Sequence, residues 1–512
     1  MDRPDAIVIG SGIGGLTAAA TLANSGLRPL VLEHHFAPGG NAQTFRRRKM
    51  FDFDVGLHYI GGCEPGGPFP TLFERLGIDG IEFLPMDPDG FDTVQLPDLT
   101  FRVPGGWDRY GERLRAAFPP ERAAIDRFLE YAGWMLGTMR GQAGEPPALQ
   151  RVLDRPWPEL TLGSVFDALE MSAPLRHVLA AECGTYGAPP SRASLGMHVL
   201  VIDHYLRSGG YFIRGGSRAL IGGFLRAVER GGGEVRLRSR VERIIIEGGR
   251  AVGVRLAKGG ELRAPLIISN ADAKRTLLEM VGEEYLSPAL VARLEAYRMA
   301  LPLFVIYMVM QVPPHELGLP NSNIFLMPGY TLEEDHETCY GGGIPERPFV
   351  LISIASLKDP RSENIAPPGY TNLQLMTIAP PQLTSWGTVR SPAEGGRYRH
   401  TADYETTKTL LRERILQVVD EMMPGFIRNV VWAECATPLT QERFTLSTGG
   451  TSYGLEHSPD QFLNKRLSHE TGVPGLYLCG ANGTFGHGIG GTMASGFVCG
   501  GAAVAAHESR SG

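Results

Sequence analysis

Two glycine-rich segments at opposite ends of the chain carry the most directly readable chemistry. Gly10-Ser11-Gly12-Ile13-Gly14-Gly15 follows the apolar run Ala6-Ile7-Val8-Ile9. Gly480-Ala481-Asn482-Gly483, continuing through Gly486-His487-Gly488-Ile489-Gly490-Gly491, follows Leu476-Tyr477-Leu478. A loop of the first kind suits a pyrophosphate. Gly10 permits a tight turn, Gly12 puts no side chain in the way of a ligand, and Gly15 lets the next helix pack close to the strand. Free N–H groups and the positive dipole end of that helix attract phosphate. Glu33 ends a second apolar run, Pro29-Leu30-Val31-Leu32. It is placed to accept hydrogen bonds from the ribose hydroxyls of an adenosine, and its charge disfavours a 2′-phosphate. One loop alone serves NAD or FAD. A second loop at the far end implies that the last segment returns to close over the same ligand, which suits the longer FAD.

These residues need a scaffold. The pattern predicts a buried strand over 6–9, a helix over 13–25 stopped by Gly26, and a strand over 29–32. A helix over 108–140 places Ile125, Phe128, Leu129, Ala132, Met135 and Leu136 on one core-facing side, and a Pro/Gly-rich loop follows over 141–158. A helix over 220–230 is followed by strands over 234–237, 241–246, 251–256 and 266–272, with a hairpin turn over 247–250. Stretches 300–312 and 349–379 read as strands of a second, mostly antiparallel sheet, and 403–423 as a helix. The fold class expected is α/β. A discontinuous Rossmann-type FAD-binding domain spans 1–75, 206–285 and 465–512. An inserted α+β substrate domain spans 76–205 and 286–464, with a helical part at about 108–205.

Composition narrows the classes of function. The chain has 512 residues, 43% hydrophobic and 20% charged, with a net charge of −6. It can bury a large core, and nothing in its charge favours nucleic acid. Six cysteines are scattered without CxxC or zinc spacing, so no metal is expected and a reducing compartment is. No signal sequence or membrane-spanning apolar run is read. The expected location is cytoplasmic, with contact at the cytoplasmic face of a membrane left open.

Several strings together resemble one family. They are the Ala6–Leu16 segment, Pro38-Gly39-Gly40, and Phe51-Asp52-Phe53-Asp54-Val55-Gly56-Leu57-His58-Tyr59-Ile60-Gly61. Arg214-Gly215-Gly216-Ser217, Ile267-Ile268-Ser269-Asn270-Ala271-Asp272, Ala366-Pro367-Pro368-Gly369 and the 480–496 segment complete the set. The chain is similar to the FAD-dependent carotenoid desaturase, carotenoid isomerase and retinol saturase group within the amine-oxidase-like flavoproteins. Gly-Leu-His-Tyr-Ile-Gly at 56–61 and Glu316-Leu317-Gly318-Leu319-Pro320 look most like the retinol saturase branch. The resemblance implies that Gly10, Gly12, Ile13, Gly14 and Gly15 hold the pyrophosphate and Glu33 the ribose. It implies that Gly39 and Gly40 admit the flavin side of the cofactor and that Val241 meets adenine through its main chain. Gly488, Ile489 and Gly490 would lie beside the isoalloxazine on a helix N-terminus. One departure stands out. Relatives usually carry an acid after the glycine at Gly480; here Ala481 is followed by Asn482, whose amide is expected to supply part of that contact.

The reaction implied is hydride exchange with flavin N5 at C=C or CH–CH bonds of a long apolar lipid such as a carotenoid, retinoid or unsaturated fatty acyl chain. The alternatives are a carotenoid-type cis–trans isomerase and a flavin- or lipid-binding protein without turnover. An amine oxidase is disfavoured, because Phe485 and Phe497 are the only Phe, Tyr or Trp after Gly480, and an NAD dehydrogenase would not need the second loop. The electron donor or acceptor is not identified by the sequence. His58, Tyr59 and His487 are the candidates for handling a proton. Glu182, His198, His204 and Tyr205 could orient a polar head group, and Arg46-Arg47-Arg48-Lys49 could meet an anion or simply be solvated.

Overall fold

The computed structural model describes residues 3–142 and 144–511. At its centre Ala6–Ile9, fully buried, pairs in parallel with Pro29–Leu32 on one side and Leu266–Ser269 on the other. Leu476–Leu478 and Glu234–Arg236 complete a five-stranded parallel sheet. The α/β class with its Rossmann-type sheet, assembled from stretches far apart in the chain, is therefore present. Between the first two strands runs the helix Ile13–Asn24, and residues 13–23 are all buried. An antiparallel sheet of Val241–Glu247, Arg250–Leu256 and Glu261–Arg263 lies beside it.

The second large sheet has seven strands. In spatial order they are Val430–Ala436, Leu303–Met310, Thr371–Ile378, Val350–Ser353, Asn323–Leu326, Asp92–Gln95 and Thr100–Val103. All pairs are antiparallel except Asn323–Leu326 with Asp92–Gln95. Alternation along Leu303–Met310 sorts its side chains between two cores. Phe304, Ile306, Met308 and Met310 pack with Leu411, Ile415, Val418 and Val419 of the helix Ala402–Met422. Val305, Tyr307 and Val309 face the other way, into a core shared with Phe53, Tyr59 and the helices of residues 107–206. This second face looks towards the parallel sheet and forms part of the wall described below.

Two sequence expectations are corrected. The helix over 108–140 is two helices, Trp107–Ala117 and Arg122–Met139, parted at Phe118-Pro119-Pro120 because proline supplies no N–H to continue the first. The apolar periodicity on either side masked the break. The last helix, Gly488–Ser511, contains a stretch, Gly488–Arg510, long and apolar enough to cross a bilayer by length and composition. Its glycines and alanines, mixed with Thr, Ser and His, hid it from an inspection for bulky apolar runs. It packs tightly along the first helix: a Cβ on Gly496 would stand 2.1 Å from the Gly14 carbonyl oxygen. A buried core helix can meet the same length criterion; of this stretch 33% is buried.

Candidate functional site

The two glycine loops meet at the C-terminal edge of the parallel sheet, where ligands bind in folds of this class. The first helix starts at Gly12 with no side chain capping it, so its first N–H groups face outward. Close approach explains the glycines. A Cβ on Gly15 would lie 2.2 Å from the Gly10 carbonyl oxygen, and one on Gly14 3.2 Å from the Gly480 Cα. Gly39, in a left-handed conformation at φ 117°, donates its N–H to the Ser11 carbonyl at 3.0 Å. The adjoining Gly40 backs onto Gly12, its Cβ position only 3.0 Å from the Gly12 Cα. Asn270, directly after the strand Leu266–Ser269, fills the junction and would be struck at 2.6 Å by a Cβ on Gly12 and at 2.7 Å by one on Gly480.

Glu33 is 5% exposed. Its Oε2 accepts from the Ser11 N–H at 2.9 Å and the Ser11 hydroxyl at 2.7 Å, and its Oε1 accepts from the His35 N–H at 2.7 Å. The carboxylate is thus held rigidly at the cavity wall with lone pairs to spare for ribose hydroxyls. Glu33→Ala would leave the buried Ser11 N–H unpaired as well as removing that contact. The expected cost of about 1–3 kcal/mol should appear as a roughly 10–100-fold weaker FAD affinity on titrating apoprotein, each 1.4 kcal/mol being tenfold.

From this cradle a single cavity of about 1250 Å³ runs through the molecule. One end is lined by Glu33, Arg240, Val241 and Met280, the middle by Gly10, Gly12, Ile13, Gly14, Gly39, Gly40, Asn482, Gly488, Ile489 and Gly490. Beyond these it continues between Met197, Leu200, Val201, Leu303, Val305, Leu351 and Met376. Gly15 and Gly480 are not in the wall; they act behind it by letting backbones approach. The bare helix start, the glycine bed and the fixed carboxylate fit a dinucleotide, and the apolar extension adds room beyond it.

Ala481 stands where relatives carry an acid, and Asn482 follows it. Its side-chain carbonyl accepts from the Leu455 N–H at 3.1 Å, leaving its amide nitrogen as the group able to reach a ligand. The neighbouring turn is pinned by Arg466, a residue sequence inspection passed over. This buried guanidinium donates to the carbonyls of Ala481 at 2.7 Å and Gly483 at 2.8 Å, and also reaches those of Leu455, Glu456 and Gln461. Arg466→Met should destabilise the protein by about 3 kcal/mol or more, since several buried carbonyls lose a charged donor at once. Urea denaturation at constant m-value would read it.

The three proton-handling candidates all line the cavity. Burial, helped by the charge of Lys358, pushes the His58 pKa down to about 3, and its Nδ1 has no partner among the described residues. His58 is therefore a neutral imidazole. His487 is neutral too, lowered to about 3 by burial and by Arg466. Its Nδ1 lies 2.6 Å from His457 Nε2, and His457 Nδ1 faces Arg466 at 3.4 Å. Arginine only donates, so His457 accepts at Nδ1, carries its proton on Nε2 and gives it to His487 Nδ1.

Tyr59 differs from both. Its ring stacks on Tyr205 with centroids 4.2 Å apart, and its hydroxyl reaches Glu182 Oε1 at 2.8 Å and Asp92 Oδ2 at 3.2 Å. Burial, with these two acids nearby, drives the Tyr59 pKa well up, so it keeps its proton. Of the head-group candidates, His204 and Tyr205 line the cavity, while Glu182 and His198 lie behind it. Two residues of the basic run are held in ion pairs, Arg46 with Asp52 and Arg47 with Glu434, each at 2.6 Å. None of its residues belongs to the cavity wall.

Comparisons with known proteins agree with this geometry. The all-trans-retinol 13,14-reductase of Rattus norvegicus is 29% identical over 97% of this chain and 85% of its own length. That of Danio rerio is 28% identical over 93% and 82%. The chloroplastic prolycopene isomerase of Daucus carota is 27% identical over 97% and 79%. Among solved structures, an oxidoreductase from Methanosarcina mazei superposes with a TM-score of 0.66 at 16% identity, covering 96% of this chain and 99% of that one. Putrescine oxidase gives 0.66 at 14%, covering 98% and 99%; at such identities the likeness concerns the fold. The sequence profile of the flavin containing amine oxidoreductases matches residues 13–498. The chain belongs to that family, and its cofactor is FAD.

Proposed function

We propose that this protein is an FAD-dependent oxidoreductase that reduces a C=C bond of a long polyene lipid, a retinoid or carotenoid. The observation that carries the reading is the continuity of the dinucleotide cradle with a channel walled by Met197, Leu200, Val201, Leu303, Val305, Leu351 and Met376. Such a wall excludes water and holds a hydrocarbon by its length. The names of the relatives supply the bond type: two are reductases of a retinol double bond.

The residues divide the work. Gly10 to Gly15 hold the pyrophosphate on the helix start, Glu33 the ribose, and Val241 the adenine. Gly39, Gly40 and the Gly488-Ile489-Gly490 turn flank the isoalloxazine, and the Asn482 amide takes the place of the missing acid near Gly480. Bound FAD supplies the hydride chemistry. Tyr59 donates the proton that the second carbon needs, while neutral His58 and His487 line the wall. A polyene lying in the channel enters from a lipid phase, so contact with a membrane surface accompanies this reading.

The test is anaerobic incubation of photoreduced holoprotein with all-trans-retinol and with cis and trans carotenoids. Reduction adds the mass of two hydrogens to the product and reoxidises the flavin. A cis–trans isomerase, the second reading that the prolycopene isomerases favour, changes the chromatographic retention and leaves both mass and flavin unchanged. Flavin that no polyene reoxidises or isomerises on would sink both.

A further inference from the structure

Behind Tyr59, outside the cavity, four distant stretches of chain bring together a buried ionic cluster. Asp92 begins the strand Asp92–Gln95 and stands in register with Asn323 on the next strand. Asn323 Nδ2 donates to Asp92 Oδ1 at 2.8 Å. Asn323 Oδ1 accepts from Lys358 Nζ at 2.5 Å, and the same ammonium donates to Ser353 Oγ at 2.8 Å and the His58 carbonyl at 2.7 Å. Glu182, on the turn Ala181–Thr185, takes the Tyr59 hydroxyl at Oε1 and the Thr185 hydroxyl at Oε2, the latter at 2.9 Å. The Tyr59 hydroxyl is thus shared between the two carboxyls, with Asp92 Oδ2 at 3.2 Å from it.

Hydrogen-bond inventory fixes the charge. A tyrosine hydroxyl has one proton to donate and an ionised carboxylate only accepts, so Tyr59, bonded to both carboxyls, donates to one and accepts from the other, which must hold a proton. Lys358 then balances the single remaining negative charge through Asn323, and the buried cluster is neutral overall, as low-dielectric surroundings demand. Burial raises both carboxyl pKa values, and lowers that of Lys358 to about 7. Other titratable groups facing the cluster are Tyr110, Tyr186, Tyr205, Tyr453 and Cys183, which stay protonated, the neutral His58, and Asp54, which faces Lys358.

We propose that the Asp92–Glu182 pair is a proton store which, held in its singly protonated state by Lys358, refills Tyr59 after each hydrogen transfer. The inference rests on the reductase reading above. The Tyr59 O–H bond breaks as a C–H bond forms on one alkene carbon, the neighbouring carbon receiving its hydride from reduced FAD. The tyrosinate takes the proton from the carboxyl pair, which recovers one from solvent. Tyr59 is the catalytic residue; Asp92, Glu182 and Lys358 act through it.

Infrared spectroscopy of the holoprotein at neutral pH, without substrate, tests the store directly. A protonated-carboxyl stretching band that shifts in D2O and is lost in Glu182→Gln or Asp92→Asn is expected. Asp335 and Asp54, also raised by burial, contribute a background that these variants leave in place. Lys358→Met should enlarge the band, because the pair then neutralises itself by taking a second proton; a merely structural lysine would not move it in that direction. Glu182→Gln should also slow hydrogen transfer by about 10²-fold with FAD retained. A wild-type spectrum in which neither carboxyl variant removes any band overturns the store, even if turnover is intact. Holoprotein that shows the band and reduces no polyene overturns the reductase reading on which the relay depends.

Discussion

Tyr59→Phe is expected to slow hydrogen transfer to the polyene by about 10²–10⁴-fold, the usual worth of a positioned acid, while the protein stays folded and yellow with FAD. The substitution keeps the ring that stacks on Tyr205 at 4.2 Å and removes only the hydroxyl shared with Glu182 and Asp92. Its folding cost is that of the hydroxyl's hydrogen bonds to the singly protonated carboxyl pair, about 1–3 kcal/mol. No atom of the pyrophosphate bed contacts this hydroxyl, so FAD affinity should not move. The measurement is single-turnover reoxidation of reduced flavin by substrate. A rate within a few-fold of wild type would remove Tyr59 from the chemistry. Loss of FAD together with activity would show the tyrosine to be part of the scaffold. Tyr205→Phe serves as the comparison: it lines the same cavity, but its hydroxyl does not bridge the carboxyl pair, so its effect should be the smaller one.

The sequence and the structure agree most closely where function depends on neighbours in the chain. The strand–loop–helix around Gly10 to Gly15 and the strand ending at Glu33 are local motifs, and a glycine that must sit against backbone leaves a mark in a single sequence. The return of the 475–507 segment was legible for the same reason, since its glycines repeat the requirement. The second sheet was legible only in part. Leu303–Met310 is buried on both faces and reads as a continuous apolar run. Asp92–Gln95 and Asn323–Leu326 are short and carry polar residues aimed into a core; their parallel pairing depends on partners more than 200 positions away. The charged cluster is hidden by the same fact. Lys358 in Ala355–Lys358 and Asp92 look like surface residues until Asn323, their common partner, is placed between them. Glu182 was visible as a polar residue in apolar surroundings, but only its contact with Tyr59 gives it a chemical use.

Gly15→Ala should abolish FAD retention, and it differs in kind from the Tyr59 change because it acts with no atom in the cavity wall. The added methyl would stand 2.2 Å from the Gly10 carbonyl oxygen and 3.0 Å from the Asn270 Cβ. Neither neighbour is the free end of a flexible side chain. The helix Ile13–Asn24 must therefore move away from the strand Ala6–Ile9, taking the N–H groups of residues 13 and 14 out of line with the pyrophosphate. Overpacking of this sort costs about 1–3 kcal/mol in stability, and misaligned donors at a helix start lose both their hydrogen bonds and the dipole. Purified Gly15→Ala is expected to be colourless and to fail to take up added FAD, with a lowered melting temperature. Gly133→Ala is the matched control. Gly133 sits on the exposed side of the helix Arg122–Met139 with no described residue within 4 Å of its Cβ position. There the methyl should stabilise by about 0.5–1 kcal/mol through reduced chain entropy and leave FAD bound. If both variants keep full flavin absorbance, the close approach of helix and strand at Gly15 is not what holds the pyrophosphate, and binding must be assigned to the Gly39 and Gly488 turns instead.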